Sequence, residues 1–308
     1  MVKQHQLEIL VPRQDMTLYF ARHETFYPRF GWLKKGFEAV NRKPQIFLDE
    51  DAHIQLGVGK NMAKAIRYWC SAFKLIQPDS TPSDLGISLL GDNGYDPFLE
   101  DPATLWWLHW HLLKSPCTAT ASDFTFNSFR QVDFTQMGLN NALKDKYTGS
   151  RVAESSLKKD VACLLRMYVK QKSATSLNEE HLDCPFAELG VIHQAGSSEH
   201  FTFRIGAKLN LPPEIIVAAC LDYAESVGSE QRTISISRLL FDHGSPGLVF
   251  KLSESALYDA IEQVSRWCDA LTLSDSTNLL QISLTESPKP LIKEVIEHYY
   301  QANLITSR

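Results

Sequence analysis

The sequence predicts a mainly α fold with short β-hairpins (α+β), organised as helix-turn-helix and winged-helix-like modules in two domains, residues 1–175 and 181–308. Three observations carry that reading. Apolar residues recur every three or four positions in segment after segment, the spacing of an amphipathic helix. Two pairs of short runs rich in β-branched and aromatic residues flank small polar turn residues, as hairpins do. Charge divides unevenly: Lys and Arg against Asp and Glu stand at 12 to 8 over residues 1–80, 8 to 3 over 144–172, and 9 to 16 over 181–308.

The elements follow in order. Alternating Leu7, Ile9 and Val11, then residues 16–20, predict two short strands, and residues 28–40 a helix. A glycine-rich turn, Leu56-Gly-Val-Gly-Lys60, opens a helix that should end near Leu75, before Pro78. Residues 82–90 form a short helix, and the turn-rich stretch 91–101 leads into a helix over 102–113, with Pro102 at its first position and Asp101 as cap. That helix carries Leu105, Trp106, Trp107, Leu108, Trp110, Leu112 and Leu113 around most of its circumference, which places it at the centre of a core. His109 and His111, lying between the tryptophans, read as satisfied core histidines.

Helices over 135–147 and 154–169, separated by 148–151, make a candidate helix-turn-helix. The domain boundary falls within 171–184. A hairpin of 189–193 with 200–205 and an apolar helix over 212–223 come next. Helix 234–241, turn 244–247, helix 253–267, a strand pair of 270–273 with 279–282, and a closing helix over 291–300 complete the chain. Helix, turn, helix and hairpin in that order resemble a winged helix. Glu254, Asp259 and Glu262 against Arg266 would repel phosphate there, so this module is expected to dock a protein. No fixed-period repeat is visible.

Composition excludes several classes. With 44% hydrophobic and 22% charged residues the chain is globular rather than disordered. No apolar run reaches the roughly 20 residues of a membrane span, and the first residues lack a secretory h-region, so a cytoplasmic location is expected. The six cysteines form no Cys-x-x-Cys pair and read as reduced thiols. A nucleophile elbow, a paired-histidine helix and a dinucleotide fingerprint are all absent.

The glycine-opened helix is the most informative segment. Met62, Ile66, Trp69 and Phe73 share one side, while Lys60, Lys64, Arg67 and Lys74 share the other. Unpaired N–H groups and the positive end of the helix dipole at Gly57, Gly59, Lys60 and Asn61 suit a phosphate. Ile54 and Asn61 stand where a P-loop needs glycine and a hydroxyl, so nucleotide binding of that kind is not supported. A simply solvated lysine face is the alternative.

Further candidates surround it. Arg22 and Arg29 are expected phosphate contacts, joined by Lys34 and Lys35, and Lys158 and Lys159 could touch a duplex. His23 and Glu24 are acid–base candidates, of which at most some can converge because neighbouring residues on a strand point to opposite faces. Asp96, Glu100 and Asp101, beside Asp92, could hold Mg²⁺ or Mn²⁺ through oxygen and activate water against a phosphodiester. Turn and cap roles are the ordinary alternative for the same carboxylates.

Several strings resemble a known family: Phe20-Ala-Arg-His-Glu-Thr-Phe-Tyr-Pro-Arg-Phe-Gly-Trp-Leu-Lys-Lys-Gly-Phe37, Leu56-Gly-Val-Gly-Lys-Asn-Met62, Ala65-Ile-Arg-Tyr-Trp69, Tyr95-Asp-Pro-Phe-Leu-Glu-Asp-Pro-Ala-Thr-Leu-Trp106 and Ser245-Pro-Gly-Leu-Val-Phe-Lys251. They resemble the SspB-like DNA-nicking proteins of bacterial DNA phosphorothioation (Ssp) systems. That resemblance implies DNA engagement or nicking in a modification and phage-defence complex, with DNA and the sulfurtransferase and ATPase subunits as partners. It carries no catalytic position. A metal-dependent nickase, a non-catalytic adaptor presenting DNA to a sulfurtransferase, and a protein-only scaffold are the three readings the residues leave open.

Overall fold

The computed structural model describes residues 17–170, 184–196, 199–228, 232–276 and 279–306. The strand expected around residues 7–11 and most of the expected domain boundary lie outside these residues. Residues 17–20 form no strand; the Tyr19 amide instead donates to Thr120 Oγ1 at 2.9 Å.

Helices α1 (Trp32–Arg42), α2 (Ala52–Gln55), α3 (Lys60–Ala72), α4 (Asp84–Leu90) and α5 (Pro102–Leu113) build the N-terminal half. Their limits follow local chemistry. Ser83 Oγ accepts the Gly86 amide to start α4, and Asp101 accepts the Ala103 amide to start α5, the second as expected. Sequence reading missed α2 and the single helical turn Ile46–Leu48 before it, because four-residue elements carry too little periodicity to register.

Gly36 lets α1 and α3 approach closely. A Cβ built there would lie 2.4 Å from Cys70 Sγ and 2.7 Å from Ile66 Cγ2, so only hydrogen fits. The contact sets the angle at which α3 presents its outer face.

The rest of the chain repeats one arrangement. Helix α6 (Thr120–Asp123), extended by a π-helical turn over Phe124–Ser128, leads to β1 (Asp133–Thr135), α7 (Gln136–Lys146), α8 (Glu154–Tyr168), β2 (Ile192–Gln194) and β3 (His200–Phe203). Helix α9 (Pro213–Gly228) then leads to β4 (Thr233–Ser235), α10 (Ile236–Phe241), α11 (Pro246–Val249), α12 (Glu254–Ser265), β5 (Leu271–Ser276) and β6 (Leu279–Leu284), followed by α13 (Pro288–Thr306). Both antiparallel sheets place the third strand between the first and second, in orders β1-β3-β2 and β4-β6-β5. In both, the last residue of the first strand caps the next helix: Thr135 accepts the Gly138 amide and Ser235 the Arg238 amide. The repeat escapes sequence reading because it lies in strand order rather than residue identity. Ile234, expected in a helix, pairs with Ile282 as strand.

Helix α5 is the axis of a core that runs without a break from Trp32 to Tyr300. Its indoles reach across the predicted domain boundary. Trp110 Nε1–H donates to Asp222 Oδ2 at 2.7 Å, and Lys114 binds the other oxygen of that carboxylate at 2.6 Å. His109 is wholly buried, and burial pushes its pKa down to about 3. Because Val249 O can only accept from Nε2, Nδ1 must accept from the Tyr168 hydroxyl at 2.6 Å, so His109 is a satisfied core histidine as expected. His111 departs from that expectation: both of its covered ring nitrogens lack partners among the described residues, and the ring sits edge-on to Trp107.

Lys208 and Lys251 are buried with no carboxylate paired to them among the described residues. Lys251 donates to Phe126 O at 2.6 Å and lies 4.4 Å from the Phe203 ring centroid, while Lys208 donates to Gly206 O and Lys251 O. Burial lowers both pKa values to about 7. The unfolded chain holds these protons up to the ordinary lysine pKa of about 10.4, so it binds more protons than the fold above pH 7, and stability rises with pH there. The opposing effect begins near pH 9, where exposed thiols ionise while Cys70 and Cys117, pushed up to about 12 by burial, do not. Melting temperature is therefore expected to climb between about pH 7 and 8.5. Circular-dichroism melts should show a shallower climb for Lys251→Met, and a falling curve would contradict the assignment.

Candidate nucleic-acid interface

A strained turn positions the first part of the site. Ala21, Glu24 and Thr25 all have positive φ (55°, 49° and 68°), a conformation that non-glycine residues hold only when the surroundings enforce it. Here Asp160 Oδ1 enforces it, accepting the Ala21 amide at 2.8 Å and His23 Nε2–H at 2.7 Å. The His23 ring stacks on Trp69 with centroids 6.0 Å apart. His23 is thereby 4% exposed, while Arg22 and Glu24 point the opposite way into an open cleft of about 780 Å³. The residues diverge on a turn rather than on the expected strand, and His23 is corrected from an acid–base group at the phosphate site to the anchor of the turn that carries Arg22.

Helix α3 forms the cleft's opposite wall. Its buried side includes Ile66 and Trp69, whose indole N–H donates to Phe26 O at 2.9 Å, and Phe73 continues that side just beyond the helix end. Lys60, Lys64 and Arg67 line the cleft. Lys64 faces Glu24 at 3.5 Å, whereas Arg22, Lys60 and Arg67 make no ion pair among the described residues. Gly59 precedes α3 with no side-chain cap, so the first amides of the helix have no side-chain acceptor from it, and of this turn only Lys60 lines the cleft. Gly57, at φ 65°, makes the turn before it. Asn61 is exposed on the first turn.

Lys74 does not belong to this ridge. It lies past the end of α3 with φ 60°, and its ammonium donates to the carbonyls of His111 and Lys114 at the end of α5. Burial lowers its pKa to about 8. Helical spacing placed it on the outer face only by extending the helix past Ala72.

The remaining basic candidates are scattered. Lys158 pairs with Glu154 at 2.8 Å, and Lys159 is exposed beside it on α8; neither lines the cleft. The Arg29 guanidinium lies over the Phe26 and Trp32 rings at 5.7 and 5.4 Å. Lys34 donates to Leu90 O and lies 5.6 Å from the Phe98 ring, and Lys35 donates to Leu56 O; both line a second cleft of about 600 Å³. Sequence reading missed the other residues on the two rims. Asp49, Glu50 and His53 join the first cleft, and Arg42, Lys43 and Phe98 the second. The run Asp49-Glu-Asp51 was the visible signal for the acidic rim.

The carboxylates of residues 96–101 do local structural work. Asp96, 7% exposed, accepts the Glu100 amide on one oxygen and the Asp101 amide on the other. Asp101 Oδ1 accepts the Ala103 amide at 2.8 Å and the Tyr299 hydroxyl at 3.0 Å, binding α13 to the start of α5. Both Asp96 oxygens and Asp101 Oδ1 thus face amide and hydroxyl donors, so these two carboxylates do not join Glu100 in a convergent oxygen cage for a divalent cation, contrary to expectation. Among the described residues no group of three or more His, Cys, Asp or Glu side chains is arranged to hold a metal ion.

Comparison with known proteins places this architecture. The family model described as protein of unknown function (DUF4007) matches residues 20–300. The chain belongs to the DUF4007 family. The chain is also similar to an SspB crystal structure, at 38% identity and a TM-score of 0.84, with 92% of this chain and 88% of that one covered. A second SspB crystal structure, described as magnesium ion-bound, matches at 37% identity with the same TM-score and coverage. No curated protein matches. The DUF4007 chain is thus SspB-like over most of its length. Among its described residues no helix is long and apolar enough to cross a membrane.

Proposed function

We propose that this SspB-like protein engages and nicks DNA within a phosphorothioate modification and phage-defence (Ssp) complex, holding backbone phosphates in the cleft between the Arg22 turn and α3. One observation supports the reading: Arg22, Lys60 and Arg67, without ion-pair partners among the described residues, line one cleft, and Lys60 opens the uncapped N-terminus of a 13-residue helix. Free guanidinium and ammonium groups beside unpaired amides match the charge and acceptor oxygens of a phosphodiester. Glu24, Glu50 and His53 on the same rim supply the acid–base groups.

The two repeated modules extend the proposal. Strand order first-third-second, with two helices between the first and second strands in one half and three in the other, is close to the winged-helix arrangement and supports reading both halves as such modules. Residues 1–175 form the DNA-engaging part. Residues 181–308 dock the sulfurtransferase or ATPase subunit through the acidic face of α12, where Arg266 is itself paired with Glu262 at 3.4 Å. The cation-dependent chemistry suggested by a magnesium-bound relative remains part of the proposal.

Relaxation of supercoiled plasmid by the purified protein in Mg²⁺, stopped by a chelator, is the expected result, with Glu24→Gln slowing it. Loss of relaxation in a stably folded Asp96→Ala variant would return the cation to the 96–101 loop. Salt-dependent binding without relaxation under any divalent cation would favour the adaptor reading, and absence of salt-dependent binding would favour the scaffold.

A further inference from the structure

The two clefts share one wall. Phe47, Asp49, Ala52 and His53 face the first cleft, while Ile46, Gln55 and Leu56 face the second. Between them in sequence, Leu48 and Ile54 face neither; they stand 60% and 70% exposed at the crest of the wall.

The wall is braced. Ile46 and Phe47 are buried in the core. Lys43 binds Asp49 at 2.5 Å, Gln55 donates to Asp49 and Asp51, and the Leu48 and Ile54 amides donate to Gln45 O and Asp51 O at 2.8 Å. Exposed apolar side chains held this firmly act as a blade rather than as a loose loop.

Cations stand across both clefts from the blade, while the blade itself brings Asp49 and Glu50 to the first cleft. The first cleft presents Arg22, Lys60 and Arg67. The second presents Lys34, Lys35, Arg42 and Lys43 against one lining carboxylate, Glu38, which pairs with Lys34 at 3.2 Å and Arg42 at 3.0 Å. Phe98, 71% exposed with the Lys34 ammonium beside it, adds an aromatic face to the second cleft. Cations that follow a backbone, together with an exposed ring, are the elements of a single-strand site, and apolar wedges between cationic surfaces unstack base steps.

We propose that the wall of residues 46–56 is a strand-opening wedge: Leu48 and Ile54 enter a base step of duplex DNA, one strand's phosphates run in each cleft, and an unstacked base rests on Phe98. The ligand is locally unpaired double-stranded DNA. This inference rests on the DNA reading above and adds what happens to the duplex once bound. Opening would expose a single phosphodiester to the Glu24 and His53 rim while holding its complement apart, which fits a cut confined to one strand.

The test uses the full chain with duplexes carrying 2-aminopurine at successive positions. Binding is followed by anisotropy of an end label, and strand integrity is checked on a denaturing gel. At saturation, 2-aminopurine emission at one or two adjacent positions should rise by about twofold or more, as unstacked bases fluoresce. Leu48→Ser/Ile54→Ser, a change confined to exposed side chains, should abolish that rise while duplex affinity stays within about twofold, because phosphate contacts dominate affinity. Phe98→Ala should weaken binding to a single strand by roughly tenfold. Full binding by the parent protein with no rise at any position would overturn the wedge and leave the DNA reading standing. An undiminished rise in the double variant would also overturn it and give the crest to a protein partner. No binding at any salt concentration would overturn both readings.

Discussion

Reversing two charges, Lys60→Glu/Arg67→Glu, is expected to lower DNA affinity by roughly 100-fold and to flatten the salt dependence by about two in slope, since each phosphate contact releases close to one counterion. The two side chains line the cleft without ion pairs among the described residues, so reversal removes attraction and adds repulsion at the point where α3 offers its first amides. Lys74→Gln is the matched control. Its ammonium serves the carbonyls ending α5, so the change should lower the melting temperature and leave the salt slope unaltered. A salt titration in which Lys74→Gln, and not the double reversal, shifts the slope would remove the cleft from consideration.

Gly36→Val should be the most damaging single change near the site. The added Cβ would enter space already held by Cys70 Sγ and Ile66 Cγ2, both wholly buried, and the two further methyl groups need room beyond it. Overpacking of this kind costs about 3 kcal/mol when the neighbours cannot yield. For a chain of this size that is a melting temperature lower by roughly 5–10 °C. Because α1 carries Lys34, Lys35 and Arg42 while α3 carries Lys60 and Arg67, forcing these helices apart should also weaken DNA binding. Gly36→Ala, adding one carbon, should show the same two losses to a smaller degree. Unchanged melting in Gly36→Val would mean that the helices separate freely and that their spacing does not define the clefts.

Local chemistry was legible wherever one residue acts on its neighbours. Asp101 before Pro102 announced the start of α5, Ser253 the start of α12, and the apolar circumference of 102–113 its central place in the core. The two sides of α3 separated as helical spacing requires, up to Ala72. Lys74 failed because a positive φ two residues beyond the helix end redirects the chain, and spacing rules hold no information past that point. His23 failed for a different reason: its partner Asp160 lies 137 positions away, so no local pattern connects them.

The same contrast divides the functional reading. Residue identities along the chain by themselves determined that a glycine-opened, lysine-bearing helix would exist and which of its sides would seek a core, because capping, backbone torsion and amphipathic spacing act within a few residues. Tertiary structure alone decided which cations converge. It set Arg22 opposite Lys60 and Arg67, withdrew Lys74 to the end of α5, turned Asp96 and Asp101 toward backbone amides, and raised Leu48 and Ile54 between two cationic clefts. The physical reason is that burial and hydrogen bonding between distant segments allocate each charged group among internal partners and solvent, which no local pattern records.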